Sequence, residues 1–156
     1  MRRIVTVEED GCSKIAIDEE VSTATWYQEI WAHDDVDQLG SDPGVVPREL
    51  IPEPGQTRWR MVSLPPLREL EAEMDELRAE GIENPRQTVE VDADGWHKTP
   101  TLDYVLIFDG PVELVLEDGS VMVQPGDTVV QRATNHAWRN HGDKPIRLLA
   151  YMTALR

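Results

Sequence analysis

Residues 96–104 read Trp-His-Lys-Thr-Pro-Thr-Leu-Asp-Tyr, and residues 135–140 read Asn-His-Ala-Trp-Arg-Asn. Between and after these two stretches, short apolar segments rich in Val and Leu are separated by glycine turns, such as the one at Pro125 and Gly126. Short strands at this spacing predict an antiparallel β-sandwich or a small barrel. The two stretches lie at the ends of this meander and together carry two histidines and one carboxylate. They therefore predict a metal site inside an all-β barrel.

The alternation of strand side chains supports this prediction. In an unbroken strand, one side of the first stretch carries four polar residues: His97, Thr99, Thr101 and Asp103. Pro100 points to the other side and cannot donate to a ladder, which indicates an edge or a bulge. In the second stretch His136, Trp138 and Asn140 share one face. If both faces line the same lumen, two imidazoles and a carboxylate converge and leave coordination positions open for a substrate or oxygen.

The N-terminal part of the chain predicts further strands and a long loop. Residues 2–7 and 14–17 alternate as the arms of a hairpin, and residues 25–31 form a third candidate strand. Residues 33–55 are rich in Asp, Gly and Pro, which predicts a surface loop.

A fourth candidate strand spans residues 57–63. Its alternation puts Arg58 and Arg60 on one face and Trp59 and Met61 on the other. We expect the arginine face to be exposed to solvent. The alternative is that the two arginines bind a substrate carboxylate.

Residues 67–81 predict one amphipathic helix. Its apolar positions recur at helical spacing, and Gly81 follows as a stop. Most other positions are acidic, which predicts a solvated face opposite an apolar packing seam. Glu71 and Asp75 repel each other four positions apart, so tertiary contacts must hold the helix. The helix either covers the pocket or contributes to an oligomer interface.

Composition bounds the class of protein. The 156 residues predict one domain, with N-terminal strands and a loop at 1–66, the helix at 67–81 and the barrel core at 89–152.

Thirty acidic and fifteen basic residues give a formal charge of −15, which repels phosphate backbones and anionic membranes. Nucleic acid and membranes are therefore not expected partners. The single Cys12 cannot form an internal disulfide, and no apolar run is long enough to cross a bilayer. A soluble, cytoplasmic protein is expected.

The residues of the first stretch resemble the first motif of the cupin superfamily, which is written G-x5-H-x-H-x3-4-E-x6-G. His97 takes the position of the first His, Asp103 that of the Glu and Gly110 that of the closing Gly. Thr99 stands where the second His is usual, and Val91 where the first Gly is usual.

The second cupin motif, G-x5-P-x-G-x2-H-x3-N, also has a counterpart. Gly126 opens it, and His136 and Asn140 keep the His-x3-Asn spacing. The chain is especially similar to small single-domain cupins that carry H-x-T-x-T-x-D-Y and Q-R-x-x-x-H-A-W segments. The resemblance covers residues 89–152, and the N-terminal strands also look like those of such proteins.

The resemblance implies a fold and a chemistry. The fold is an antiparallel double-stranded β-helix, or jelly-roll barrel, that is often a homodimer. The chemistry is that of a metal-dependent enzyme acting on a small organic molecule, with a divalent iron, manganese, zinc or nickel ion. The implied metal ligands are His97, Asp103 and His136. Four further residues would shape the pocket or take part in catalysis: Thr99, Thr101, Gln131 and Trp138.

Several alternatives remain at this point. Asp103 is either a ligand, a general base or the partner of an interior arginine. Dioxygenase, lyase, decarboxylase and isomerase reactions all occur on this fold, and the fold does not choose among them. A non-catalytic cupin that binds a small molecule is one other reading. A metal-free cyclase or dehydratase that works by acid–base groups alone is another.

Overall fold

The structure is a computed structural model that describes residues 2–9, 12–21, 27–34, 44, 49, 51–80 and 95–155. These residues form strands connected by turns, together with one helix. The strands are β1 Arg2–Glu9, β2 Cys12–Glu20, β3 Tyr27–His33, β4 Thr57–Leu64, β5 Thr101–Ile107, β6 Val112–Leu116, β7 Gly119–Val123, β8 Thr128–Arg132, β9 Ala137–Arg139 and β10 Ile146–Ala154; the helix is α1 Leu67–Ala79.

The strands form three antiparallel sheets. The largest has the order β3-β4-β10-β5-β8, a second has the order β7-β6-β9, and β1 and β2 form a two-stranded ribbon. The predicted all-β antiparallel architecture with N-terminal strands and one helix is confirmed. Within the described part of the chain, no helix is long and apolar enough to span a membrane.

The core lies between the five-stranded and the three-stranded sheet. Strand β5 buries every second residue, and its buried Val105 and Ile107 belong to the same apolar cluster as Val112 and Leu114 of β6. The face of β5 that carries Val105 and Ile107 therefore points into the space between the sheets, which we call the lumen. Since side chains two apart share a face, the rest of the β5 residues on this side follow them into the lumen.

Cross-strand register divides the lumen into two ends. At the apolar end, Val105 lies opposite Ala150 of β10, and Ile107 lies opposite Leu148. One level further along the strands, Asp103 lies opposite Met152 on one side and Gln131 of β8 on the other. We use "level" for a row of residues that lie opposite each other on neighbouring strands. The levels of Asp103 and Thr101 together form what we call the polar end of the lumen. The apolar packing residues and the buried polar residues thus lie at different ends of the same space.

The N-terminal predictions can be compared with β1 to β3. The hairpin is confirmed, and its arms at Arg2–Glu9 and Cys12–Glu20 are longer than expected. The third strand is confirmed at Tyr27–His33 and ends two residues beyond the predicted end, while predicted residues 25 and 26 lie outside the described residues. Most of the predicted loop at 33–55 lies outside the described residues.

Helix α1 begins where the sequence predicts it. The backbone N–H of Leu67 donates to the carbonyl oxygen of Asn140 at 2.7 Å, and Glu69 places a carboxylate in the first turn. Both features stabilise a helix N-terminus, since its first N–H groups lack partners within the helix. The predicted end at Gly81 lies outside the described residues.

The expectation that Arg58 and Arg60 face solvent is wrong. Their exposed fractions are 4% and 0%. Strand β4 lies between β3 and β10, and its register puts Arg58 opposite Met152 and Arg60 opposite Ala150, so both side chains are on the lumen face.

Arg60 is buried together with a counter-charge. Its Nε donates to Oε2 of Glu29 at 2.9 Å, and its Nη2 donates to the backbone carbonyl of Glu49 at 2.6 Å. The two side chains are 1% and 0% exposed. Burial of a lone guanidinium would be too costly, so this pair joins β3 to β4 as a unit.

The opposite face of the five-stranded sheet carries a row of large side chains. Trp59 of β4, Tyr151 of β10, Tyr104 of β5 and Val130 of β8 are consecutive cross-strand neighbours, and all four are exposed. The rings of Tyr104 and Tyr151 are 6.3 Å apart between centroids. The predicted homodimer and the cytoplasmic location stay predictions.

We predict that Arg60→Met destabilises the fold strongly, because it removes the buried guanidinium that neutralises the Glu29 carboxylate. The free energy of unfolding, measured by urea denaturation, should fall by about 3–5 kcal/mol. Arg147→Met is the matched control, since Arg147 forms an exposed pair with Asp109 at 2.6 Å; it should cost less than about 1 kcal/mol. Equal effects of the two substitutions would contradict this account of the buried pair.

Candidate functional site

Two histidines meet at the polar end of the lumen. His97 and His136 form an isolated antiparallel bridge, with N···O distances of 2.9 and 3.0 Å in the two directions. Their ring centroids are 4.2 Å apart and the rings are tilted by 54°. The strand predicted through His97 is interrupted at Pro100, and β5 begins at Thr101. The break at the proline is what the sequence indicated, and it lets His97 pair with the segment before β9.

The backbone holds both imidazoles in the same way. Nδ1 of His97 lies 3.0 Å from the carbonyl oxygen of Gly95, and Nδ1 of His136 lies 2.9 Å from that of Thr134. A carbonyl oxygen can only accept, so each Nδ1 carries a proton and, in the neutral ring, each Nε2 keeps a lone pair. Such a bond on one ring nitrogen fixes the tautomer and orients the other nitrogen toward a metal or a proton.

His136 is held in its neutral form. Burial and, to a lesser extent, the nearby His97 lower the pKa of His136 to about 4, against a smaller opposing effect of the Thr134 carbonyl. At neutral pH its Nε2 therefore acts as an acceptor or a ligand.

A directed chain of hydroxyl groups leads to Asp103. The hydroxyl of Thr101 donates to the Asp103 carboxylate, and it lies 2.7 Å from the hydroxyl of Thr99. Because Thr101 has one hydroxyl proton and gives it to Asp103, Thr99 must be the donor in the second bond. Both threonines are buried. The hydrogen bonds thus run from Thr99 to Thr101 and from Thr101 to one carboxylate oxygen of Asp103.

The second oxygen of Asp103 is open. Asp103 Oδ1 is buried and has no hydrogen-bond partner. Desolvation raises the pKa of Asp103 to about 6, more than the Thr101 bond lowers it. A carboxyl group with such a pKa can accept or release a proton near neutral pH.

Gln131 faces Asp103 across the sheet. The two residues are register partners in β5 and β8, and Gln131 is 4% exposed. Its Nε2 is also buried without a hydrogen-bond partner. Buried polar atoms are normally paired, so two open atoms on facing residues mark this level as a site. Gln131 was predicted to shape the pocket or take part in catalysis, and the register of β5 against β8 adds its position opposite Asp103.

Trp138 and Asn140 have distinct surroundings. Trp138 packs against the apolar cluster and meets the ring of His136 edge-on, with centroids 6.1 Å apart. Asn140 is buried and serves the fold: its Nδ2 donates to the carbonyls of Leu64 and Lys144, and its Oδ1 accepts from the N–H of Gly142. Asn140 therefore stabilises the turn that follows β9.

Arg58 is a lumen residue that the sequence reasoning misassigned. It lies on the same level as Asp103, separated from it by Met152. Its Nη2 donates to Oε1 of Gln56 at 2.7 Å, and its Nη1 donates to the carbonyl of Thr57 at 2.9 Å. The alternation of Arg58 with Trp59 places the two side chains on opposite faces of β4 but does not say which face is inward.

The three predicted metal ligands are not gathered into one group. Among the described residues, which include His97, Asp103 and His136, no three His, Cys, Asp or Glu side chains are placed to hold a metal ion together. The structure brings the two imidazoles together and leaves Asp103 at the neighbouring level of the lumen. The metal-binding role of these residues stays a prediction.

Comparison with known proteins identifies the barrel. Residues 86–152 match the profile of the cupin domain family, and this stretch includes both histidines, Asp103 and Gln131. This part of the chain is a cupin domain. The cupin resemblance predicted from the motif spacings is confirmed.

Similar proteins cover only part of the chain. It is 40% identical over 58 residues to phomopsin biosynthesis cluster protein C′ of Diaporthe leptostromiformis, covering 36% of this chain and 31% of that protein. It is 40% identical over 57 residues to a cupin-domain-containing oxidoreductase of Aspergillus ruber, covering 34% and 28%. The chain thus spans about a third of the length of these relatives. A cupin 2 conserved barrel domain protein from Salinispora arenicola is 14% identical, with 70% and 71% coverage and a TM-score of 0.42.

The raised pKa of Asp103 predicts a pH-dependent cost in the metal-free cupin. The unfolded chain loses this proton near pH 3.8 and the folded chain near pH 6, so wild-type stability falls as pH rises between these values. Asp103→Asn removes the titration. In chelator-treated protein, the variant should therefore gain stability over wild type from pH 4 to pH 7, by about 3 kcal/mol in all.

Urea denaturation at several pH values measures this difference. Asp118→Asn, in the exposed turn after β6, should track wild type at every pH. A difference between Asp103→Asn and wild type that is constant across this range would contradict the burial of an open carboxylate.

Proposed function

We propose that this cupin is an enzyme that converts a small organic molecule bound at the polar end of the lumen. The observation that carries the proposal is a buried carboxylate oxygen that the protein does not satisfy itself, together with two imidazoles that the backbone orients. Asp103 Oδ1 has no hydrogen-bond partner, and the Nδ1 bonds of His97 and His136 leave both Nε2 lone pairs available. A lumen with only a packing role would have these groups paired or replaced by apolar ones.

The residues of the site have separable tasks in this proposal. Asp103 exchanges a proton with the bound molecule through Oδ1, while the Thr99–Thr101 chain holds the other oxygen in place. The neutral His136 accepts a hydrogen bond or a proton through Nε2. Trp138 closes the pocket beside the imidazole pair. Water is excluded because Asp103 and its neighbours are buried, which strengthens each of these interactions.

The comparisons support an enzymatic role at the level of the family. One relative is named a cupin-domain-containing oxidoreductase, and another belongs to a biosynthesis cluster. Both match in a segment of fewer than sixty residues, so their activities enter only as support for small-molecule conversion.

Turnover of metabolites tests the proposal without a known substrate. Purified protein is incubated with a small-molecule extract, and consumed and formed compounds are followed by mass spectrometry. We expect at least one compound to be consumed by wild type and by Asp118→Asn, and to be consumed about 10²–10⁴-fold more slowly by Asp103→Asn. Retention of a compound without conversion would instead favour the non-catalytic binding cupin.

Metal-assisted conversion is a second candidate, which the imidazole pair favours. Two imidazole Nε2 atoms oriented by backbone carbonyls fit two ligands of a divalent iron, manganese, zinc or nickel ion. The third predicted ligand does not fit, since Asp103 is not grouped with the imidazoles. When bound, such a metal would act as a Lewis acid toward a substrate oxygen. The proton-transfer tasks above do not require it.

Metal stoichiometry separates the two candidates. Protein purified without chelator, and protein reconstituted with each of the four metals, is analysed by inductively coupled plasma mass spectrometry. If the imidazole pair holds a metal, His136→Ala should reduce the bound metal at least about tenfold. His141→Ala is the matched control, since His141 is exposed and paired with Glu113 at 2.6 Å. Unchanged metal content in His136→Ala would show that the imidazole pair is not the site.

A further inference from the structure

The pair formed by Asp103 and Gln131 has an arrangement that the proposed function does not use. Their Cα atoms are opposite each other in adjacent strands, and both side chains are on the lumen face. Asp103 is 8% exposed and Gln131 is 4% exposed. Each has one buried atom without a hydrogen-bond partner, an acceptor oxygen on Asp103 and a donor nitrogen on Gln131.

These two atoms would satisfy each other if they met, and they do not. Facing residues have Cβ atoms about 4.5–5.5 Å apart, which is close enough for the side chains to act on the same small group. Asp103 is restrained by its bond from Thr101, so its open oxygen is fixed. The open donor and the open acceptor therefore lie on neighbouring side chains, close enough for one small ligand to contact both.

The chemistry of the two atoms limits that ligand. The amide N–H of Gln131 donates, and the strongest neutral acceptor that a small organic molecule offers is a carbonyl oxygen. The carboxylate oxygen of Asp103 accepts, so it faces a hydrogen of the ligand next to that carbonyl. An anionic ligand would meet the carboxylate of Asp103 in a chain that already carries a charge of −15. A neutral carbonyl compound fits both atoms.

We propose that Asp103 and Gln131 form a base-and-donor pair that enolises a neutral carbonyl compound. The proposal rests on the proposed function and names its substrate class. Asp103 Oδ1 takes a proton from the carbon next to the carbonyl. The electron pair of the broken C–H bond forms a carbon–carbon double bond, and the electron pair of the carbonyl π bond moves to its oxygen. The N–H of Gln131 stabilises the charge that develops on this oxygen.

The step is balanced without a further reactant. The proton on Asp103 returns to the same carbon or passes to the oxygen, and either transfer regenerates the carboxylate. Exchange with solvent occurs when a solvent proton replaces the Asp103 proton before its return, or when the enol is released and takes up a proton on carbon in solution. Both transfers are made with the residues of this level of the lumen.

Hydrogen–deuterium exchange in D2O tests the proposal. The probes are acetophenone, 1-tetralone and hydroxyacetone, together with 4-acetylbenzoate, which adds a carboxylate to the same ketone as acetophenone. Loss of the proton signals next to the carbonyl is followed by ¹H NMR. We expect wild type to accelerate exchange in at least one neutral probe over buffer, and to leave 4-acetylbenzoate at the buffer rate.

Matched variants assign the exchange to the pair. Asp103→Asn removes the base and should slow exchange by about 10²–10⁴-fold, and Gln131→Met removes the donor and should slow it by about 10²–10³-fold. Asp118→Asn and Gln124→Met change exposed residues of the same types and should keep the wild-type rate. Circular dichroism confirms that each variant is folded. In the wild type alone, ¹⁵N NMR should show the Gln131 side-chain amide signal shifting when a reactive probe binds.

The outcomes also separate this proposal from the proposed function. Turnover of an extracted metabolite that depends on Asp103, in D2O, without deuterium in substrate or product, would overturn the enolisation and leave the proposed function standing. Exchange at the wild-type rate in Asp103→Asn or Gln131→Met would overturn the pair. If no probe exchanges and no metabolite is consumed, both proposals are wrong.

Discussion

The structure depends on the alternation of strand β5. An extended chain can turn only every second side chain toward one side, and in β5 those residues are Thr101, Asp103, Val105 and Ile107. Two of them are polar and two are apolar, in that order along the strand. Because β10 and β8 pair with β5 in fixed register, Val105 and Ile107 lie opposite apolar residues of β10, whereas Asp103 lies opposite Gln131 of β8. A shift of one residue would send all four side chains to the outer face. The division of the lumen into an apolar and a polar end follows from this one constraint.

Much of the fold could be predicted because its signals are local. The turn at Gly126 illustrates this: its φ of +89° suits glycine, and the N–H of Gly126 donates to the carbonyl of Ile107 at 2.8 Å. The start of α1 and the hairpin of β1 and β2 were equally readable. Arg58 and Arg60 were not, because alternation separates two faces without telling which one is inward. That choice depends on β4 lying between β3 and β10 and on Glu29, which is thirty-one positions from Arg60.

Motif spacing could select candidate site residues but could not give their contacts. Motif spacing selected His97, Asp103 and His136, and the structure places them in two groups, the imidazole pair and the level of Asp103. The partnership of Asp103 with Gln131 needs the register of β5 against β8, which no spacing along the chain contains. The backbone bonds on the two Nδ1 atoms likewise depend on local turns before each histidine. The sequence thus predicted which residues to consider, and the fold showed how those residues are grouped.

The divided lumen has a consequence for how such a protein can change over time. Substitutions at the level of Asp103 and Gln131 alter the groups presented to a ligand while the packing of Val105, Ile107, Leu148 and Ala150 is left intact. Effects at sites that share no partners are close to additive, so new binding preferences can be sampled with little loss of foldability. The desolvated carboxylate is itself a burden on stability, since a neutral residue at that position would remove the burial cost. Substitutions that replace Asp103 by a neutral residue would therefore stabilise the fold. If the acid is retained, the reason must be selection for its function rather than for stability.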